Sequence, residues 1–407
     1  MLDRRRFLGT AGALALVGAA PALAAGGRFD TVVARLRGLV EDGRLPFASL
    51  RIARRGEVLA QAYIDGRETV GAGSLYRIYS MTKPVVAAAM VMLVEDGRLA
   101  LEDPVARYVP EFADLQVATA SLDAREPARP MTLAHLLTHS CGLANSWGDA
   151  RVAPLYRQAG LVAAAWMYDP AIGGLAGFAQ RLSALPLAFQ PGSDWLYGYG
   201  LDIAGLVIER ITGERLGTFL ERRIFNPLGM AATGFQVPEE HAGRLAGLYN
   251  PRAGGLVRVA DGSERLPLTR LFADAGSAGL VSTLEDYGRF VDMLAGAGAR
   301  GGVRVMRAAS ARLVMAPHGP QAPLWPALQR FGGYAPGSVG QALGGITRLD
   351  DRDGRGSSGE YSWGGAAGTG FWATPSLGLS VTLMTQLMPA GAVPARDMLR
   401  PLVYAAL

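Results

Sequence analysis

Hydrophobic positions along this chain change their spacing several times, and each change marks an element. Between residues 28 and 43, Phe29, Val32, Val33, Leu36, Leu39 and Val40 recur at three- and four-residue intervals, predicting an amphipathic helix ended by Gly43. From Ala48 the pattern turns to alternation. Leu50, Ile52 and Ala53 lead into Arg54-Arg55-Gly56-Glu57, and Val58 to Ile64 returns, a β-hairpin turning at Gly56. Val85 to Asp96 is apolar and is followed by Gly97, which predicts a helix with a glycine cap. Pro84 fits only the first turn of that helix.

Residues 100 to 270 mix short helical patterns with Pro- and Gly-rich loops, the clearest helix running from Leu201 to Thr212 before Gly213. Thr283 to Leu294 is amphipathic, with Ser282 or Thr283 as N-cap and Glu285-Asp286 in the first turn. Strand signals return at Phe371-Trp372-Ala373 and from Leu379 to Gln386, and a last helix starts at Ala395. Helices gathered between two strand-bearing ends predict an α+β protein: a sheet-bearing part of about 26–100 and 271–407, with a mainly helical lobe of about 101–270 inserted.

Composition adds that half of the 407 residues are apolar, enough for a large core. That core must supply the stability, since Cys141 is the only cysteine and no disulfide can form within the chain. Residues 1–25 are expected to stand outside the fold as an export signal of twin-arginine type. Arg4-Arg5-Arg6-Phe7-Leu8 precedes an apolar run from Thr10 to Ala20, and Pro21-Ala22-Leu23-Ala24 gives a small-residue cleavage pattern, although Asp3 replaces the usual Ser or Thr. The apolar run is short for a membrane span, which favours cleavage and a periplasmic or secreted protein over a permanent anchor. Losing that segment removes three arginines and one aspartate and lowers the formal charge from +5 to +3. With no basic stripe, a nucleic-acid partner is not expected.

Candidate chemistry begins with Lys83, the only lysine; every other one of the 40 basic residues is arginine. It follows Ser80 by three residues in Ser80-Met81-Thr82-Lys83. Arginine stays protonated in proteins, whereas a buried lysine can give up its proton and act as a base. The predicted helix start puts Ser80 and Lys83 about one turn apart on one face, at the positive end of the helix dipole. Other nucleophile settings are poor: Gly-x-Ser-x-Gly does not occur, and the histidines are His135, His139, His241 and His318. His135 and His139 have an i, i+4 spacing, but no Glu follows His135 and no third ligand is evident, so they read as structural and no metal is expected. A lysine-activated serine still needs a second hydrogen-bonding partner and an oxyanion hole.

From about Leu50 to Met388 the chain resembles the serine β-lactamase and penicillin-binding-protein superfamily, and within it the family VIII carboxylesterases. The likeness rests on Ser80-Met81-Thr82-Lys83, on Leu136-Leu137-Thr138-His139-Ser140-Cys141-Gly142-Leu143, on Trp195-Leu196-Tyr197-Gly198-Tyr199, on Gly279-Leu280-Val281-Ser282-Thr283 and on Trp363-Gly364-Gly365. The resemblance implies a β-lactamase/transpeptidase-like fold, an antiparallel sheet flanked by helices. It also implies Ser80, Lys83 and Tyr197 as catalytic residues, with the Tyr197 phenolate, stabilised by Lys83, as general base toward Ser80, and the backbone N–H groups of Ser80 and Ala366 as the oxyanion hole. Tyr199, Trp363, Gly364 and Gly365 would belong to the substrate pocket.

Two departures bear on function. Tyr199 stands where the second motif has asparagine; a shifted register with Tyr199 as the catalytic tyrosine is the alternative, disfavoured by the spacing to Gly205 and Glu209. Trp363 stands where the third motif, on an edge strand, has a lysine. Arg348, Arg352 and Arg355 are candidate replacements for that charge, although they read as part of a solvated loop. The implied activity is cleavage of a small carboxylic ester through an acyl-enzyme, with no cofactor. The alternatives are a β-lactamase or D-alanyl-D-alanine carboxypeptidase on the same site, acyl transfer to an acceptor other than water, and a cell-envelope binding protein without turnover.

Overall fold

Seven antiparallel strands make the sheet on which the site is assembled. In chain order they are β1 (Ala48–Arg54), β2 (Glu57–Ile64), β3 (Val339–Ala342), β4 (Gly345–Arg348), β5 (Tyr361–Gly364), β6 (Gly370–Thr374) and β7 (Leu379–Met384). In space they run β3-β4-β5-β6-β7-β1-β2, so the N-terminal hairpin pairs with the last strand of the chain. The computed structural model describes residues 27–407 except 149, 163–164, 319–326, 329–333 and 353; the expected export segment lies outside the described residues.

Helices cover both faces of this sheet, which is why β1 is buried from Ala48 to Ala53 instead of alternating. On one face lies α4 (Leu284–Ala295), where Asp292 accepts two hydrogen bonds from Arg51 of β1 at 2.9 and 2.7 Å and Tyr287 packs on Phe371 of β6. Trp372, the next residue of β6, points the other way and meets Arg400 of α5 (Ala395–Ala405). Helix α1 (Asp30–Glu41) packs against α5 and β1. The Arg51–Asp292 pair is buried on both sides, a geometry in which removing one partner strands a charge and is strongly destabilising.

Helix α2 (Thr82–Glu95) joins sheet and lobe. Its residues from Thr82 to Leu93 are all buried, so it has no polar face. It packs on α3 (Gly200–Thr212) of the lobe, and its own start is fixed by Tyr287, whose hydroxyl donates to the Met81 carbonyl at 2.9 Å. The N-cap of α4 is Thr283, whose hydroxyl accepts the Asp286 N–H at 3.1 Å. Between residues 101 and 270 there are helices and 3₁₀ turns, together with two small ribbons that periodicity did not reveal, Gln116–Ala118 with Arg125–Pro127 and Tyr249–Arg252 with Gly255–Arg258. Among the described residues no helix is long and apolar enough to cross a membrane.

The region before residue 361 differs most from expectation. Residues 339–348 form the hairpin β3–β4, and Arg348 is a buried strand residue whose N–H donates to the Glu360 carbonyl, not part of a solvated loop. Arg352 and Arg355 are exposed, with Arg352 paired to Asp350. Strand β5 is interior, not an edge, but β4 pairs only with Tyr361 and Ser362; Trp363 and Gly364 pair with β6 alone, so the end of β5 keeps one open edge.

Candidate active site

Ser80 sits in a 3₁₀ turn, Tyr79–Met81, that runs directly into α2. The residue before it, Tyr79, has φ +44°, a left-handed conformation that is rare for a bulky side chain and persists only where surroundings enforce it. The enforcing contacts are visible: the Thr82 hydroxyl donates to the Tyr79 carbonyl at 2.7 Å and accepts the Leu280 N–H at 3.1 Å. This bend presents half-buried Ser80 to a cleft of about 320 Å³ and turns Lys83, 1 % exposed, inward behind it.

Around Ser80 Oγ the Tyr197 hydroxyl lies at 2.5 Å and Lys83 Nζ at 3.4 Å. Nζ also donates to the Ser277 carbonyl at 2.5 Å and lies 4.5 Å above the centre of the Tyr197 ring. Burial pushes the Lys83 pKa down, and the Asp202 carboxylate opposes that by favouring the ammonium. Asp202, wholly buried near the start of α3, accepts the Ser277 N–H at 3.0 Å with Oδ1, while Oδ2 has no hydrogen-bond partner among the described residues. Burial raises its pKa, against the pull of the Ser277 hydrogen bond and of Lys83. Ser277 therefore touches both, its N–H on the acid and its C=O on the base.

Burial likewise raises the Tyr197 pKa well above the usual phenol value, so the hydroxyl rests protonated and is no standing phenolate. The ring is held on several sides. His139 lies 4.7 Å from it, Trp363 stacks on it at 6.0 Å and Trp147 lies tilted to it at 5.8 Å. His139 is fully buried with no partner on either ring nitrogen among the described residues, and burial together with Lys83 keeps its pKa well below the ordinary value, so it stays neutral. The backbone of Tyr197 is fixed by Asn145, whose Nδ2 donates to the Tyr197 carbonyl at 2.7 Å. Gly198 is needed here, because a Cβ on it would lie 2.0 Å from the Leu143 carbonyl oxygen.

Strand β5 delivers the other wall. Trp363, Gly364, Gly365 and Ala366 all line the cleft. A Cβ on Gly365 would lie 2.4 Å from the Ile78 carbonyl oxygen, so the absence of a side chain lets this turn sit against the segment that leads to Ser80. Neither the Ser80 nor the Ala366 N–H donates to a protein acceptor among the described residues, which leaves both available to an oxygen in the cleft.

Ser80, Lys83, Tyr197, Trp363, Gly364, Gly365 and Ala366 thus come together. Tyr199 does not join them: it is buried in the lobe, its hydroxyl donating to the Leu161 carbonyl at 2.8 Å and meeting Ser146 at 3.1 Å, and it is absent from the cleft wall. Its expected place in the pocket is corrected accordingly. His135 is a helix-capping residue, its Nδ1 accepting the Thr132 N–H at 3.1 Å. None of Arg348, Arg352 and Arg355 reaches the cleft wall. Sequence reasoning missed Asp202, Asn145, Trp147 and Arg396; only Asp202 left a signal, as a carboxylate among the apolar residues of the first turns of its helix.

A model of the family described as Beta-lactamase matches residues 32–405. Protein Rv1367c of Mycobacterium tuberculosis is 34 % identical over 380 residues, covering 89 % of this chain and 91 % of that one. Esterase EstB of Burkholderia gladioli is 32 % identical over 391 residues, covering 90 % and 92 %. Among solved structures, the one described as "EstCE1, a hydrolase with promiscuous acyltransferase activity" superposes with a TM-score of 0.79 at 22 % identity, covering 93 % of this chain and 98 % of that one.

Proposed function

The chain belongs to the Beta-lactamase family, and from that premise we propose that it is a serine hydrolase of carboxylic esters working through an acyl-enzyme on Ser80. The observation that carries this reading is Ser80 Oγ held at 2.5 Å from the Tyr197 hydroxyl and 3.4 Å from Lys83 Nζ, at the mouth of a cleft walled by Trp363 and Trp147. Ser80 attacks the acyl carbon and its proton passes to neutral Lys83, whose pKa burial has lowered. The amides of Ser80 and Ala366 receive the oxyanion. Collapse expels the alcohol, which takes its proton through Tyr197. Water, deprotonated by the same pair, then attacks the acyl carbon, releasing the acid and restoring Ser80. The esterase among its relatives agrees with this, and the acyltransferase activity named for the superposed structure is chemistry available to the same intermediate.

The ester reading is favoured over the lactam one because Trp363, an uncharged indole stacked on Tyr197, stands where a cation would hold a lactam's carboxylate beside the third motif. Turnover of a short p-nitrophenyl ester is expected to exceed that of a chromogenic cephalosporin, and a fluorophosphonate is expected to label Ser80 by mass spectrometry. Faster cephalosporin turnover reverses the ranking, and no label on Ser80 supports a binding protein instead.

Asp202 supplies a pH test. A base that must be neutral gives a rate that rises with pH as Lys83 loses its proton. Asp202→Asn removes the charge that favours the ammonium, so the Lys83 pKa falls further and the ascending limb of kcat/KM moves to lower pH. A limb that stays in place, or moves up, contradicts the assignment of Lys83 as base.

A further inference from the structure

We propose that Gln386 is a positioning residue for the oxyanion hole, setting the distance between its two donors from outside the cleft wall. This rests on the ester-hydrolase reading and adds to it the residue that keeps the hole assembled. The two donors belong to different segments. The Ser80 N–H lies in the turn that enters α2, and the Ala366 N–H in the turn between β5 and β6. The segments meet at Gly365, where a side chain would strike the Ile78 carbonyl oxygen. Among the described residues, however, no hydrogen bond joins residues 77–81 directly to residues 364–369.

Gln386 supplies the join. It follows β7 by two residues and is completely buried. Its carboxamide is fixed on Arg77, three residues before Ser80. Oε1 accepts the Arg77 N–H at 3.1 Å and Arg77 Nη1 at 3.3 Å, while Nε2 donates to the Arg77 carbonyl at 3.1 Å and to the Thr385 carbonyl at 2.7 Å. A carboxamide has two acceptor lone pairs and two donor protons, and all four are used, so the group has one orientation. Bonding both the N–H and the C=O of one residue is what a neighbouring strand does in an antiparallel ladder. Arg77 pairs with Val281 on its other side, and the Gln386 side chain takes the place of a strand on this one.

The backbone next to it holds the other donor. The Leu387 N–H donates to the carbonyl of Ala367, the residue after Ala366, at 2.9 Å. This part of the chain is itself anchored. The Gln386 carbonyl accepts the Tyr249 N–H at 2.9 Å, the Met388 N–H donates to the Tyr249 carbonyl at 2.8 Å, and the Thr385 hydroxyl donates to the Phe47 carbonyl at 2.8 Å. The two donors of the hole are thus tied to adjacent residues of one fixed segment, Ser80 through the Gln386 side chain and Ala366 through a main-chain bond. Removing the carboxamide takes partners from the N–H and C=O of Arg77, which is buried, and such groups shift to find others because leaving them unpaired costs about 1–3 kcal/mol. A misplacement of about 1 Å at a reacting centre is enough to cost about 10²-fold in rate.

The test compares p-nitrophenyl butyrate with its thionoester, in which sulfur replaces the carbonyl oxygen and accepts hydrogen bonds poorly. Rates are taken per Ser80 labelled to completion by a fluorophosphonate, so that any unfolded fraction drops out of kcat. The unsubstituted enzyme is expected to prefer the oxygen ester by about tenfold or more, the contribution of a formed oxyanion hole. Gln386→Met keeps the length of the side chain without its polar atoms. It is expected to lower kcat for the oxygen ester by about 10- to 100-fold with KM within about twofold, and to bring the oxygen-to-sulfur preference close to one. Gln386→Glu still accepts from Arg77 and keeps a fold to measure where the methionine variant does not; both quantities are expected to move the same way by less. An oxygen-to-sulfur preference unchanged in the variants, whatever their rates, assigns Gln386 to packing and overturns the proposal. No preference in the unsubstituted enzyme also overturns it, while ester turnover and labelling of Ser80 leave the hydrolase reading intact. If no ester is turned over and Ser80 takes no label, both readings fall together.

Discussion

Replacing Lys83 by arginine is expected to lower kcat/KM for a short p-nitrophenyl ester by about 10³-fold or more, although the positive charge is kept. Three features of the site set the size of this effect. Nζ is within reach of Ser80 Oγ at 3.4 Å, so it is the group that can take the serine proton directly. Burial disfavours its charged form, which makes the neutral amine accessible near neutral pH. A guanidinium has no such neutral form in a protein, so Lys83→Arg removes the base while leaving the electrostatic attraction to Asp202 in place. The residual activity of the variant should also lose the ascending limb that the unsubstituted enzyme shows. Pre-steady-state acylation by the ester, followed across pH, measures both. Activity close to the unsubstituted level would return Lys83 to an accident of composition, and a large loss with the limb intact would point to packing damage rather than proton transfer.

The lysine was legible because composition isolated it: a chain that uses arginine everywhere else keeps one lysine a helical turn from a serine. Helices α1 to α5 were legible for a related reason, since each has an apolar stripe or run bounded by glycine, proline or a capping residue. Strands β3 and β4 were not, because Val339 to Arg348 holds three glycines among short polar and apolar residues and has no alternation. Their burial comes from α2, from the helix Ala308–Met315 and from the β-ladder, none of which a local window contains. The same limit applies to the site. Ser80, Lys83, Tyr197 and Trp363 sit in recognisable motifs, whereas Asn145, Asp202, Ser277 and Gln386 act through contacts with distant segments. Tyr199 shows the converse error: position beside a catalytic motif suggested a pocket residue, and the turn at Gly198 sends it into the lobe instead.

Tyr197→Phe is expected to cost about 10² to 10⁴ in kcat/KM while changing stability little. Phenylalanine keeps the ring that His139, Trp363 and Trp147 pack against, and the Asn145 hydrogen bond to the Tyr197 carbonyl does not depend on the side chain. Only the hydroxyl, 2.5 Å from Ser80 Oγ, is lost. Because burial holds that hydroxyl protonated, its work is to pass a proton onward to the departing alcohol rather than to stand as a phenolate. The loss should therefore depend on the leaving group: smaller for a p-nitrophenyl ester, whose alcohol departs without protonation, and larger for an alkyl ester of the same acid. Equal losses on both would assign Tyr197 to activating Ser80 alone. Tyr199→Phe is the comparison that separates the two tyrosines. It removes a hydrogen bond to the Leu161 carbonyl outside the cleft, so it should lower thermal stability by about 1 kcal/mol and leave the leaving-group dependence unchanged. A leaving-group-dependent collapse in Tyr199→Phe, with Tyr197→Phe near normal, would move the proton relay to the other tyrosine.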